Sequence, residues 1–317
     1  MIKKKIMVTG CAGFIGSNLV DFFLKKEYYI VGIDNLSTGN IKNLKVALKN
    51  KKFTFYKCDL LKSRKINKYF KNIDLVIHLS ANADVRFGPK HPRKDLEQNL
   101  LVTTNVLEAM RINNVKKIAF SSTGSVYGEA KKFPTPENAD FPIQTSLYGA
   151  SKLSCEAFIS AYVESFKMKA WIFRFVSVLG PRYSHGHVID FYRSLKKSSK
   201  LLKAFGDGNQ RKSYLYVEDC IEAIYTALSK ANKKINIFNL GTNDYVEVKK
   251  SIKLICNELN LKPQVQYEGG KRGWIGDNPF IFLDTKKIRS LGWKPKLSIE
   301  KSIIRTVKYL KSRVNKP

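Results

Sequence analysis

Short apolar runs alternate with longer amphipathic stretches through the first half of the chain. The runs at 5–9, 29–34, 53–56, 75–80, 117–121 and 170–175 are rich in Val, Ile, Leu and aromatic residues, as strands buried on both faces require. Between them, 14–25, 96–113 and 147–166 repeat apolar positions every three to four residues, the period of a helix with one buried face. Strand and helix in alternation predict an α/β fold: a doubly wound parallel sheet with helices on both faces. The second half is less regular. Helical patterns at 188–197, 217–231, 247–259 and 298–311 are separated by short strands, which predicts a smaller α/β region after the first. The expected division is 1–176 and 177–317, with a segment near 214–241 returning to the first sheet.

Composition narrows the class. The chain has 317 residues, 44% of them hydrophobic and 26% charged, enough to bury a sizeable core and too balanced for wholesale disorder. A net charge of +31 is the unusual value. It suits a polyanionic partner such as nucleic acid, an acidic membrane or a phosphate-bearing substrate. The lysines lie along the whole chain with no block of five or more. That spread favours solvated basic faces with a weak general attraction for anionic substrates.

Five cysteines, Cys11, Cys58, Cys155, Cys220 and Cys256, are far apart and contain no Cys-x-x-Cys pair. Neither a disulfide framework nor a zinc site is indicated. The basic start Met1-Ile2-Lys3-Lys4-Lys5 is followed by only three apolar residues, too few for a signal sequence. No stretch approaches the roughly 18 apolar residues of a membrane helix. These features point to a soluble, reduced, cytoplasmic protein without a metal.

The first candidate chemistry lies directly after the first predicted strand. In Thr9-Gly10-Cys11-Ala12-Gly13-Phe14-Ile15-Gly16, glycines recur every third residue where a strand turns into a helix. Glycine permits the tight turn and the close approach of backbone N–H groups to a pyrophosphate, and the N-terminus of the helix at Phe14, Ile15 and Gly16 adds a favourable dipole. Asp34 closes the second strand, at the spacing of the acid that binds a dinucleotide ribose. A carboxylate there accepts from both ribose hydroxyls and repels a 2′-phosphate, so NAD is favoured over NADP. The plainer reading of Asp34 is a turn cap. Asp59, after the third strand, is placed to meet the adenine edge. Together these features make the sheet Rossmann-type.

A Tyr-x-x-x-Lys pair occurs five times: Tyr127/Lys131, Tyr148/Lys152, Tyr192/Lys196, Tyr245/Lys249 and Tyr267/Lys271. Only Tyr148/Lys152 opens a long helix after the fifth strand, where residues four apart share a face at the ligand-binding edge of the sheet. The other four read as solvated surface pairs. The fifth strand ends in Ser121-Ser122-Thr123-Gly124-Ser125, and a hydroxyl at Thr123 can bond both the Tyr148 phenol and a substrate hydroxyl. General-base chemistry needs a phenolate. A tyrosine acting at neutral pH must titrate roughly 3 pH units below its free value of ~10, worth about 4 kcal/mol. A lysine ammonium at ~4 Å and an effective dielectric of ~20 supplies about that much.

With these motifs in view, the chain resembles the extended short-chain dehydrogenases, and among them the nucleotide-sugar epimerases of the UDP-glucose 4-epimerase type. The resemblance runs nearly end to end, through the glycine loop, Asp34-Asn35-Leu36-Ser37-Thr38-Gly39, His78-Leu79-Ser80-Ala81, Asn99, Ser121–Gly128, Tyr148–Lys152, Arg174–Pro181, Gly206–Gln210 and Leu291–Pro295. It implies an NAD-dependent enzyme that oxidises C4 of a sugar nucleotide and returns hydride to the opposite face. Tyr148 is then the base, Lys152 also holds the nicotinamide ribose, and Thr123 aligns the hydroxyl. The cofactor contacts it implies beyond the loop and Asp34 are Asn35, Ser37, Thr38, Gly39, Asp59, Leu60, Leu79, Ser80, Ala81, Asn99, Ser121, Tyr148, Lys152, Phe175 and Val178. The substrate contacts it implies are Arg86, Thr123, Ser125, Tyr148, Ser177, Val188, Arg211, Lys212, Tyr214, Arg272 and Asp277, mostly in a substrate-binding region over 177–317. A homodimer built on helices 96–113 and 147–166 is the implied assembly.

The chain departs from the family at three places. Ser177 stands where the family has Asn. Gln210-Arg211-Lys212-Ser213 replaces Gln-x-Arg-Asp, so either Arg211 or Lys212 meets the diphosphate. Arg272-Gly273-Trp274-Ile275-Gly276-Asp277 only loosely matches Arg-x-Gly-Asp. Related dehydratases place an Asp-Glu pair after the catalytic Thr, where this chain has Gly124 and Ser125, which cannot transfer those protons. His185-Gly186-His187 has the look of a metal pair without further ligands nearby and reads better as a substrate-entry loop. The leading expectation is an NDP-sugar 4-epimerase of the UDP-glucose/UDP-galactose type. The alternatives are a UDP-glucuronate 4-epimerase, a 2-epimerase or a decarboxylase, and, from another class, a non-catalytic NAD-binding protein with a basic nucleic-acid surface. No nucleic-acid module is visible, so no nucleic-acid partner is expected.

Overall fold

A computed structural model describes residues 4–314 except 83, 85–87, 141–142, 271, 273–277 and 279. The chain starts with β1 (Lys5–Thr9), α1 (Phe14–Lys25), β2 (Tyr29–Asp34), β3 (Phe53–Lys57), α2 (Ser63–Ile66), β4 (Leu75–His78), α3 (Pro92–Asp95), α4 (Val102–Ile112), β5 (Lys117–Thr123), α5 (Leu147–Phe166) and β6 (Lys169–Phe175). It continues with β7 (Ser177–Leu179), α6 (His187–Lys197), β8 (Leu201–Ala204), β9 (Arg211–Lys212), β10 (Tyr214–Tyr216), α7 (Val217–Lys230), β11 (Ile235–Leu240), β12 (Val246–Glu247), α8 (Val248–Leu259), β13 (Gln264–Tyr267), β14 (Phe280–Ile281), α9 (Lys286–Arg289) and α10 (Ile299–Val314).

Seven strands form one sheet in the order β11-β6-β5-β4-β1-β2-β3, and every pairing in it is parallel. Because successive side chains point to opposite faces, the strands feed two cores. Ile6 and Val8 join the core that includes Leu19 of α1 and Ile221 of α7, while Met7 joins Val106 of α4 and Ile159 of α5 on the other face. The strand order reverses between β1 and its neighbours β2 and β4, which opens a crevice beyond the carboxyl ends of these strands. The segment 217–240 supplies α7 and then β11, which pairs with β6 from Ile235 to Leu240. Among the described residues, three small sheets, β7–β10, β8–β13 and β9 between β12 and β14, together with α6, α8, α9 and α10, make up the rest of the second half.

Three boundaries differ from the periodicity. The apolar run 75–80 leaves the sheet at His78, because Thr9 Oγ1 accepts from the backbone N–H groups of Leu79 (3.2 Å) and Ser80 (3.3 Å). The pattern at 96–113 is not one α-helix. A π turn over Leu96–Leu101 separates α3 from α4, and within it Asn99 is turned inward and buried. Strand β5 runs two residues further than expected, so Thr123 is its last residue, paired with Phe175.

Candidate active site

The glycine loop leaves β1 with Gly10 at φ +67°, a left-handed conformation suited to glycine. A Cβ on Gly10 would lie 2.9 Å from Ser80 N, and one on Gly16 would lie 2.1 Å from Gly10 O. The loop is therefore packed as tightly as its backbone allows. Helix α1 begins after Gly13 with no side chain capping it, so the N–H groups of Phe14, Ile15 and Gly16 retain their capacity to meet an anion.

Asp34 is 7% exposed and faces this loop. Its Oδ2 accepts from Ala12 N (2.9 Å) and its Oδ1 from Leu36 N (2.8 Å), so it does cap a turn while also gripping the glycine loop. A Cβ on Gly39 would sit 2.8 Å from Asp34 Oδ1. Glycine there keeps clear the space beside the carboxylate, which is the space a ribose diol needs. The loop, the uncapped helix and this carboxylate fit a dinucleotide. Asn35 Oδ1 accepts from Ser37 N (3.0 Å), shaping the turn that carries Thr38 and Gly39. Asp59 is half-buried at the end of β3 and caps Leu61 N (3.0 Å), whereas the Leu60 side chain is core.

At the end of β4, Leu79, Ser80 and Ala81 are half-buried along the same crevice. Beneath them His78 is fully buried, with Thr9 Oγ1 at 2.7 Å from Nδ1 and Thr103 Oγ1 at 3.1 Å from Nε2. Burial, reinforced by the Lys152 charge, pulls its pKa down to about 3, so it is a neutral ring bridging Thr9 and Thr103. Asn99 spends its side chain on protein. Its Oδ1 accepts from Asn82 N and its Nδ2 donates to Ser151 Oγ, both at 2.8 Å. Ser151 in turn donates to the Tyr148 carbonyl (2.8 Å). Asn99 thus links the loop after β4 to α5, and any cofactor contact would be additional to that task.

Helix α5 starts at a Ser146 cap, whose Oγ accepts from Gly149 N at 3.0 Å. Tyr148 sits in its first turn and Lys152 one turn later. Thr123 ends the adjacent strand and hydrogen bonds with the Tyr148 phenol. Thr123 Oγ1 also accepts from Ser125 N (3.1 Å) and lies 3.2 Å from Ser125 Oγ. Lys152 is 2% exposed and donates to the Ser121 carbonyl oxygen (2.8 Å), with its ammonium 4.6 Å from the Phe120 ring centre.

The expected lowering of the Tyr148 pKa is not met by the chain alone. Burial pushes the phenol up to about 12, nearby Asp95 and Cys155 push the same way, and only the Thr123 hydrogen bond opposes them. Lys152 donates to the Ser121 carbonyl oxygen instead, and burial pulls its own pKa down to about 8. Without a ligand, Tyr148 is a neutral phenol at pH 7.

The structure sorts the substrate half. Phe175 and Val178 are buried at the ends of β6 and β7, and Ser177 between them is exposed. Val188 is fully buried at the start of α6. Tyr214 is also buried, its hydroxyl 2.6 Å from His187 Nδ1. In β9, Arg211 lies over the Tyr245 and Phe280 rings, at 5.1 and 5.8 Å, while Lys212 donates to the Asn278 carbonyl (3.0 Å) and acts on His187. The two cations therefore serve different surroundings, and Lys212 shares its own with Tyr214 and His187. In the sequence His187 stood out as part of a substrate-entry loop that has the look of a metal pair. Among the described residues no cluster of His, Cys, Asp or Glu could hold a metal, and burial with the Lys212 charge lowers the His187 pKa to about 3. Arg272 forms an ion pair with Glu129. Arg86 and Asp277 lie outside the described residues.

The reading of the other Tyr-x-x-x-Lys pairs as solvated fits Tyr245 and Tyr267, which are exposed, and needs correction for the remaining two. Tyr127 and Tyr192 are 6% and 5% exposed. Tyr127 is held by Arg174 and Asn239, partners that sequence spacing does not reveal.

The profile of the NAD dependent epimerase/dehydratase family matches residues 6–241. A putative UDP-glucose 4-epimerase of Methanocaldococcus jannaschii is 36% identical over 97% of this chain and 98% of its own length. Two solved structures superpose over nearly the whole chain. The UDP-glucose 4-epimerase of Thermotoga maritima with UDP-glucose has a TM-score of 0.88 at 31% identity, covering 98% of this chain and 100% of its own. The UDP-glucuronic acid 4-epimerase of Bacillus cereus, with UDP-glucuronic acid and NAD, has a TM-score of 0.90 at 29% identity, covering 98% and 99%.

Proposed function

Since this chain belongs to the NAD-dependent epimerase/dehydratase family, we propose that it is a UDP-sugar 4-epimerase interconverting UDP-glucose and UDP-galactose through a transient 4-keto sugar. The observation that carries this reading is the meeting of Thr123, Tyr148 and Lys152 at the carboxyl edge of the sheet, on the same edge as the glycine loop. When bound, NAD supplies a hydride acceptor and a positive charge. The glycine loop and the N-terminus of α1 hold its pyrophosphate, and Asp34 its ribose. Tyr148 takes the proton of the sugar C4 hydroxyl and later returns it. Thr123 holds that hydroxyl in line with the phenol. Lys152 keeps a positive charge near the phenol and donates to a ribose hydroxyl. The region from 177 onward, apart from 214–241, holds the nucleotide, with Lys212 rather than Arg211 on the diphosphate.

Packing supports epimerisation over dehydration. A Cβ at Gly124 would lie 2.6 Å from Ile281 Cγ2 and 3.3 Å from the Phe175 carbonyl oxygen. An aspartate that could expel a C6 hydroxyl has no room there unless β14 moves. A UDP-glucuronate substrate is the second reading, favoured by the likeness to the Bacillus cereus enzyme. We assign a homodimer to the outer faces of α4 and α5, where Ile112 and Phe158 are 56% and 44% exposed. A non-catalytic NAD-binding protein would have no use for the complete trio. Among the described residues no helix is long and apolar enough to cross a membrane.

The test is incubation with UDP-glucose, UDP-galactose, UDP-glucuronate, and GDP- and CDP-hexoses without reductant, with products resolved by proton NMR. Interconversion of a C4 pair is the expected result, and its identity names the sugar. No turnover by NAD-loaded protein would overturn the reading. Tyr148→Phe should keep its NAD and lose at least about a hundredfold in kcat; normal turnover would overturn the assignment of the base.

A further inference from the structure

The trio is divided between two elements. Thr123 ends a strand, whereas Tyr148 and Lys152 ride on a helix, and apolar packing between strand and helix lacks the directionality to hold a hydroxyl and a phenol to a few tenths of an ångström. A buried polar network joins the two elements directly behind the trio. Ser122, the neighbour of Thr123, donates to Glu156 Oε1 on α5, one turn beyond Lys152. Arg174 of β6 closes on the same carboxylate, with Nη2 2.7 Å from Oε2 and Nε 3.0 Å from Oε1. Arg174 Nη1 also donates to Tyr127 OH (2.7 Å) and to the Glu137 carbonyl (3.0 Å), and Tyr127 donates to Asn239 Oδ1 of β11 (2.8 Å). Ser122, Glu156, Arg174, Tyr127 and Asn239 are all buried.

Stability alone does not explain this arrangement. A buried ion pair contributes little compared with well-packed apolar side chains of the same volume, and its best-attested use is to fix one geometry among several. We propose that Glu156, clamped by Arg174, is the positioning residue of the active site: through Ser122 it sets the strand end carrying Thr123 against the helix carrying Tyr148 and Lys152. Its charge has a second effect. Glu156, with Cys155 on the same helix and Asp95 of α3, favours the protonated form of Lys152 against burial, while His78 on β4 faces it as a neutral ring. The inference rests on the proposed catalytic role of the trio.

Two variants of the NAD-loaded protein test it. Ser122→Ala cuts the tie to the strand and leaves the Arg174–Glu156 pair intact. Glu156→Gln removes the charge and keeps the shape. Turnover is measured as kcat and KM on the C4 pair that the wild type interconverts. Lys152 is titrated by NMR of 13Cε-labelled lysine, which needs no sugar. Ser122→Ala should lose about tenfold in kcat with KM within about twofold and NAD content and Tm retained. In Glu156→Gln the Lys152 resonance should titrate at lower pH, and the alkaline limb of kcat should move with it. Wild-type kcat in Ser122→Ala overturns the proposal, and so does a Lys152 titration unchanged in both variants. If Glu156→Gln does not fold, Ser122→Ala decides alone. A wild type that turns over no sugar refutes the functional reading separately, and the Lys152 titration then still decides the positioning claim.

Discussion

Lys152→Met should make the protein inactive and more stable. Lys152 is buried, and that burial holds a group that titrates at 10.5 in water down to about 8, even with Cys155, Glu156 and Asp95 pulling the other way. At about 1.4 kcal/mol per pH unit, the charged form costs the folded chain roughly 3 kcal/mol. Below pH 8 the lysine is protonated in both states and the full cost applies. Between about 8 and 10.5 the unfolded chain binds a proton that the folded chain does not, so stability rises with pH across that window. Above it the cost is gone. Methionine retains the unbranched stem and removes the ammonium, but it also removes the bond to the Ser121 carbonyl, a loss of about 1–2 kcal/mol. The variant should therefore exceed the wild type by about 1–3 kcal/mol at pH 6.5, with the gap closing towards pH 10. Urea unfolding followed by the fluorescence of the buried Trp171 and Trp293 measures it. NAD must first be stripped from both proteins, because a ligand bound only to the folded state adds its own stabilisation. A variant less stable than the wild type at pH 6.5, or a gap that ignores pH, would refute the reasoning.

Other perturbations separate cofactor, packing and network. Asp34→Ala strips the acceptors from Ala12 N and Leu36 N, so it should cost about 1–3 kcal/mol in unfolding and lower NAD affinity at least about tenfold by fluorescence titration; unchanged affinity would return Asp34 to a turn cap. Gly124→Asp forces a side chain against Ile281, and should cost about 1–3 kcal/mol without creating a 4-keto-6-deoxy product detectable by NMR. Arg174→Met leaves Glu156 buried without its partner, a loss of about 3–5 kcal/mol in chemical denaturation; a loss below about 1 kcal/mol would place the pair among negligible ones.

The alternation of apolar runs and amphipathic helices was enough to read the order of the first six sheet strands and the long helices between them, because burial on both faces of a parallel sheet imposes itself on consecutive residues. The glycine loop was equally legible. Its requirement is local: Gly10 must take a positive φ, and Gly16 must approach Gly10 O without a Cβ. The π turn at Leu96–Leu101 was hidden inside an unbroken helical pattern, since one extra residue in a turn hardly alters apolar spacing. The surface reading of Tyr127 missed its partners Arg174 and Asn239, which lie 47 and 112 residues away.

The sequence by itself determined the class of sheet, the glycine loop and the Tyr148/Lys152 pair, because each is written in spacings of a few residues along one strand, turn or helix. Tertiary structure alone decided that Lys212 and not Arg211 joins His187 and Tyr214, that Val188 is fully buried, and that Tyr148 begins as a high-pKa phenol. The physical reason is that desolvation and hydrogen-bond partnership are summed over everything within a few ångströms, and most of those neighbours come from distant parts of the chain.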